Sequence, residues 1–466
     1  MLGALSASSA PTREPRGRDT PKHRDPDGPS LESPIARSTQ QSLALAPLVP
    51  RSGPLRNLVA LRRAPMRFFT RAAAAGDVVR FRAGHLRCAL VSHPELVREI
   101  LRKDEHSRER NLEVPLIRRI LGDGALTSDG PAWTLARRAS APPLAPRAVE
   151  KLNETLARVS EERLDALAAL GEPARMFPEM AALTLRVTIE ALLGQPISDH
   201  DARLLADDVL FAQAYLFFWL RLSLDAVPRI PTANNRRFYR VIDGFHALTE
   251  QTLRAEATTP FTRHLAELRD ADGQALSEQS RRDQLMTMLV AAPENTATTL
   301  AWTMHLLATH PEHQRRLREE GPSSAAWGPT LREALRLYPG APYLDRRVEQ
   351  PTEVGGHALE PGTILVVAPY LIHRDPRFWS DPSAFQPERF AHGEEPLAWM
   401  PFGVGPRRCL GEHFAMAVLR AVLPRVIERF ELEPLPGYVP SIDPVINLRP
   451  GGGLPLLLRE RRPPNA

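Results

Sequence analysis

The chain has 466 residues, 43% of them hydrophobic, enough for one large core or, on length alone, two to three domains. A net charge of +5 and a pI near 9.5 raise nucleic acid or an anionic membrane as partners, but the arginines are scattered, which ranks nucleic acid low. Two cysteines rule out a disulfide scaffold, and no apolar run approaches the roughly 18 residues of a membrane span, so a soluble, cytoplasmic protein is expected.

Residues 1–50 are rich in Ser, Pro, Arg and Asp without apolar periodicity, which predicts a disordered tail ahead of one domain over 51–466. An organelle transit peptide fits poorly with Glu14, Asp19, Asp25, Asp27 and Glu32, because such peptides are acid-poor. A start codon placed too early accounts for the segment equally well. From Asp77 to Arg82 and again from His85 to Val91 the β-rich pattern, split by Ala83-Gly84, predicts a hairpin with Cys88 in its core. Pro94 then opens a helix over Glu95–Leu101. Trp133 and Arg137 stand at i and i+4 on a predicted helix, where an indole N–H and a guanidinium on one face suit a carboxylate-like anion. Alone, such a pair is usually packing and a solvated charge.

Residues 150–190 show the helical period of scaffold helices. Val209 to Leu220 carries five aromatic residues and is followed by a break at Pro228 and Pro231. Leu285 to Leu307 reads as one long apolar helix interrupted at Ala291-Ala292-Pro293-Glu294-Asn295-Thr296, where Pro293 supplies no N–H and should open the helix. Glu333 and Arg336 form an i, i+3 pair, strands are expected within Gly356–Val367, and His373-Arg374-Asp375-Pro376 and Pro387-Glu388-Arg389-Phe390 follow.

The stretch Pro401 to Ala415 holds the second cysteine. Glycines at 403, 405 and 411 let the backbone turn tightly around Cys409 and approach a flat partner. Leu410, Phe414, Ala417, Val418, Ala421 and Val422 recur at helical spacing, which places the sulfur at a helix N-terminus, where the dipole favours the thiolate. Zinc and iron–sulfur sites need about four ligands from Cys and His, and both fail on count. One thiolate on an open loop suits an axial position of a haem iron. In this stretch Phe402, Gly405, Arg407, Cys409 and Gly411 match F-x-x-G-x-R-x-C-x-G without a gap, and the chain resembles the cytochrome P450 family from Gly76 to Leu458.

The resemblance implies a mainly α fold with a small β region and a haem b between the helix of Glu294 and the loop of Cys409, the sole metal ligand. Phe402 and Gly411 belong to its cofactor-binding loop. Trp133, Arg137, Arg407 and Arg346, or its neighbour Arg347, would hold the propionates. His373 falls near a haem contact in the family, a surface turn histidine being the other reading. Glu333, Arg336 and Arg389 would form a buried charge network. The central helix departs from the family's A-G-x-[DE]-T-[TS] at Ala292, Pro293 and Asn295, while Glu294 keeps the acid, so Glu294, Asn295 and Thr296 are the catalytic candidates. The implied reaction is oxygen insertion into an apolar small molecule of terpenoid, fatty-acid or polyketide type. Electrons would come from NAD(P)H through a ferredoxin or flavodoxin with its reductase, meeting a monomer at a basic face of Arg408, Arg420, Arg425 and Arg429. A peroxide-driven peroxygenase or isomerase, or a haem-binding sensor, are the alternatives.

Overall fold

The computed structural model describes residues 46–49, 53–102, 114–170, 173–221, 227, 230–393, 395–444 and 447–461. The predicted tail lies outside these residues up to position 45, as does Pro228. Folded structure begins ahead of the expected boundary at 51. Pro47–Val49 runs beside Arg80, with Val49 N–H donating to the Arg80 carbonyl at 3.0 Å and Arg80 N–H to that of Pro47 at 2.8 Å. Ala46 and Val49 are buried, so apolar burial extends the core into a stretch whose composition alone reads as tail.

The expected hairpin forms as β1 (Val78–Ala83) and β2 (Leu86–Val91), antiparallel with Phe81 opposite Cys88. It joins β3 (Leu344–Arg347) and β4 (Ile364–Val367) in the order β1-β2-β4-β3, β2 and β4 being parallel. Cys88 is buried as expected, and desolvation pushes its thiol up to about 12. Two short strands, Thr352–Val354 and His357–Leu359, pair just before β4.

Helices make up most of the rest. Those that place the site are α1 (Pro94–Arg102), α2 (Gly130–Ser140), α3 (Asn153–Ala168), α4 (Met176–Val187), α5 (Asp199–Arg221), α6 (Ala233–Arg254), α7 (Glu278–Ala291), α8 (Pro293–Thr309), α9 (Trp327–Leu337) and α10 (Glu412–Arg429). Strands β5 (Ser441–Pro444) and β6 (Leu448–Gly451) form a hairpin near the C-terminus. The predicted long central helix is two helices, α7 and α8, divided at Ala292. Pro293 has no N–H to give the Leu289 carbonyl, and it sits instead in the first turn of α8, where a missing donor is harmless.

α8 is apolar almost all round, which is why it lies in the middle of the molecule against α4, α9 and α10. Leu300, Ala301, Trp302, Met304 and Leu307 are buried with their neighbours in one core cluster. The Trp302 indole donates to the Leu448 carbonyl at 2.7 Å, satisfying the one polar atom of a fully buried ring and tying α8 to β6.

The charge network forms around α9. Arg336 spends all five guanidinium N–H groups: Nε and Nη2 on Glu333 at 2.7 and 2.8 Å, the rest on the carbonyls of His373, Pro382 and Ala384 at 2.7–2.9 Å. Arg389 lies 3.4 Å from the same carboxylate. A buried pair satisfied this fully welds the helix to the chain that leads into the Cys409 loop.

Candidate active site

The loop before α10 is shaped by its glycines. Gly405 has φ +78°, and a Cβ there would lie 2.8 Å from the Leu101 carbonyl carbon and nearer still to its oxygen. Only glycine lets the loop cross so close beneath the end of α1. Cys409 N–H donates to the Phe402 carbonyl at 2.9 Å, and Arg408 N–H to that of Gly405 at 3.0 Å, closing the turn that presents the sulfur. That sulfur opens into an internal cavity and is otherwise enclosed by protein, so its exposure is to the cavity and not to bulk water.

This enclosure corrects one expectation. The thiol is pushed up, chiefly by desolvation and against the Gly411 N–H, with Glu412 in the first turn of α10 adding to the rise. Arg137 and Arg408 pull the other way and lose. The helix end alone does not make the thiolate; a bound cation would, since a metal deprotonates the thiol that coordinates it.

The cavity, of about 380 Å³, is lined by Cys409, Phe402, Gly403, Arg407 and Gly411 on the loop, by Trp133 and Arg137 on α2, by Arg346 on β3, and by Asn295 and Thr296 on α8. Two residues predicted for the site lie elsewhere. Glu294 faces a second, upper cavity of about 300 Å³, where its carboxylate accepts from Arg449 Nε at 3.0 Å and from the Nη2 of the same residue. His373 is wholly buried: Nε2 accepts from Met400 N–H at 2.9 Å, and Nδ1 meets the Arg336 carbonyl at 3.1 Å. It is neither a cofactor contact nor a surface histidine. It pins the chain just ahead of the Cys409 loop to α9, and burial with Arg374 nearby pushes its pKa down to about 3.

At the cavity edge Arg407 and Arg137 lie 4.6 and 5.6 Å from the Trp133 ring centre. Arg407 also pairs with Asp129, and Arg137 donates to the Arg408 carbonyl at 3.1 Å. Thr296 Oγ1 is turned back onto the Ala292 carbonyl at 3.0 Å, at the α7–α8 break. Asn295 is exposed to both cavities, and its Oδ1 takes a long 3.5 Å bond from Asn447 Nδ2. The sequence offered no motif for Asp129, Arg449 or Asn447, because each acts through a partner on a distant segment.

The basic face expected around the loop is largely neutralised. Arg408 pairs with Glu412, Arg425 with Glu161, and Arg429 with Asp165 and Glu460. Glu161 and Asp165 on α3, and Glu460 near the C-terminus, were invisible to a reading of one helix.

A thiol that faces a cavity beside a broken helix, with an indole and three guanidinium groups in the same lining, suits a flat, anionic prosthetic group held by one sulfur. The comparisons agree with that geometry. Residues 47–323 and 329–452 match the cytochrome P450 family, and the chain belongs to it. It is 29% identical to cyclooctatin synthase of Streptomyces melanosporofaciens, over 84% of this chain and 90% of the relative. It is also 29% identical to cyclooctat-9-en-7-ol 5-monooxygenase of the same organism, over 82% and 88%. Pentalenene oxygenase of Streptomyces avermitilis is 27% identical over 84% and 90%. The protein is therefore a haem-iron monooxygenase that works on a small molecule with redox partners. Among the described residues no helix is long and apolar enough to cross a membrane.

Proposed function

We propose that the substrate is a cyclic terpenoid-type compound with a largely hydrocarbon skeleton, oxidised with electrons from NAD(P)H carried by a separate ferredoxin or flavodoxin. The observation that carries this reading is the upper cavity. Ile117, Ile120, Val209, Leu216, Phe238 and Phe245 make it apolar, and it shares Leu126, Ala291, Asn295, Leu344 and Arg346 with the cavity of Cys409. A bulky hydrocarbon would gain about 25 cal/mol for each Å² of apolar surface buried there. The names of the relatives, which act on pentalenene and on cyclooctat-9-en-7-ol, support the same class.

When bound, the haem supplies oxygen activation, with Cys409 as the ligand of its iron. Trp133, Arg137, Arg346 and Arg407 would hold its propionates; all four line the cavity. Phe402 and Gly411 line the floor. Asn295 stands where both cavities meet and handles water and protons there, with an amide that both donates and accepts. Thr296, its hydroxyl committed to Ala292, shapes the opening beside it. Glu294 holds Arg449 and thereby the wall of the upper cavity. Cys88 and Cys409 are both unpaired, which suits a reducing compartment.

The test is a titration of the haem-loaded protein with pentalenene, cyclooctat-9-en-7-ol, a long-chain fatty acid and a macrolide, followed by turnover with NADPH, ferredoxin and reductase. The terpenoids should shift the Soret band and give oxygenated product. A shift with the fatty acid or the macrolide alone overturns the substrate class. Turnover with hydrogen peroxide but not with NADPH would favour the peroxygenase reading that Asn295 invites.

A further inference from the structure

We propose that Gln213 is a specificity-determining residue, donating a hydrogen bond to an oxygen atom that the substrate carries before it is oxidised. The preferred ligand is then a hydrocarbon skeleton already bearing a hydroxyl or carbonyl group. This rests on the hydrocarbon reading of the upper cavity and narrows it.

Gln213 stands on α5, the helix that roofs this cavity, among Val209, Ala212, Leu216 and Phe217. Its side chain is an amide in an apolar wall, and the residue is only 7% exposed. Which end of the amide faces the cavity follows from its neighbour. Arg449 Nη2 lies 3.5 Å from Oε1, and a guanidinium has donors only, so the atom turned toward it must be the carbonyl oxygen. The opposite orientation would set N–H against N–H.

Arg449 is itself held in place. Glu294 takes its Nε and Nη2, its guanidinium carbon lies 5.5 Å from the Phe177 ring centre, and the preceding Leu448 carbonyl is fixed by the Trp302 indole. With Oε1 committed, Nε2 points away from Arg449, and among the described residues it donates to no protein atom. That end of the amide is left to the cavity, and a ligand that supplies an acceptor there gains a net hydrogen bond that one without an acceptor does not.

The chain Glu294–Arg449–Gln213 also gives the ion pair a purpose beside the upper cavity. The carboxylate orients the guanidinium, and the guanidinium orients the amide.

Rigid cages of nearly equal size test the idea: adamantane has no polar group, 2-adamantanone only accepts, and 1-adamantanol donates and accepts. Their dissociation constants are measured by calorimetry on the haem-loaded protein, each corrected for partition out of water. In wild type the ketone and the alcohol should each bind about fivefold or more tightly than adamantane, the worth of one net hydrogen bond. Gln213→Leu should bring all three to parity. Gln213→Glu keeps the shape but loses the donor, so it should lose the ketone preference while still taking the alcohol. An unchanged ketone preference in Gln213→Leu, or ketone binding by Gln213→Glu at the wild-type level, overturns the proposal and leaves the hydrocarbon reading intact. Absence of binding by all three cages, in protein whose reduced carbonyl band is intact, overturns the hydrocarbon reading and the proposal with it.

Discussion

Of the two thiols Cys409 opens into the cavity shared with Trp133, Arg137 and Asn295, whereas Cys88 is packed in the sheet core beside a separate small pocket, with its pKa raised to about 12. Cys409→Ser should therefore abolish the carbonyl band that names the family, while Cys88→Ser leaves it in place, as read in the reduced, CO-treated difference spectrum. The residue that departs most from the family is Asn295, whose amide is exposed to both cavities and braced by Asn447. Asn295→Ala should lower the product formed per NAD(P)H consumed by about fivefold, the order of one lost hydrogen bond. Asn295→Thr should retain most of it. Equal coupling in wild type and Asn295→Ala would mean that the amide only packs.

Among the elements, the Cys409 loop is positioned from two sides. From below, Gly405 passes against the last turn of α1. Gly405→Ala combines a left-handed φ with a collision against backbone that no side-chain rotation relieves, and should cost about 3 kcal/mol or more. Thermal unfolding checks this, and Gly403→Ala is the control, since it has a similar φ but open space around the new carbon. From behind, α9 holds the approach to the loop through Arg336 and His373. The break between α7 and α8 plays the same part above the cavity, and there a single proline announces it in the sequence.

For the molecule as a whole, the neutral His373 makes stability depend on pH. Its pKa falls from an ordinary 6.5 to about 3, through burial first and then Arg374. Between those values the unfolded chain binds a proton that the native state refuses, so this contribution is fully present above pH 6.5 and is lost as the pH falls toward 3. By pH 5 the loss is about 2 kcal/mol. Urea unfolding at pH 7 and pH 5 should therefore show a smaller decline for His373→Gln than for wild type, even though the variant is less stable at pH 7. Equal declines would show that His373 titrates normally in the native state.

Local chemistry was legible without coordinates wherever the relevant residues were neighbours in the chain. The hairpin of β1 and β2, the proline break at 293, the i, i+3 pair of Glu333 and Arg336, and the loop of Cys409 are all contained in short windows, because turn geometry, helix period and ligand spacing are local properties. Tertiary structure alone decided where Glu294 points, since its partner Arg449 is 155 positions away. It also decided that His373 is a brace, that Arg425 and Arg429 of α10 are paired, and that burial outweighs the helix end in setting the Cys409 thiol. Desolvation and charge pairing depend on what packs around a side chain, and in this protein many of those neighbours lie tens to hundreds of positions away in the sequence.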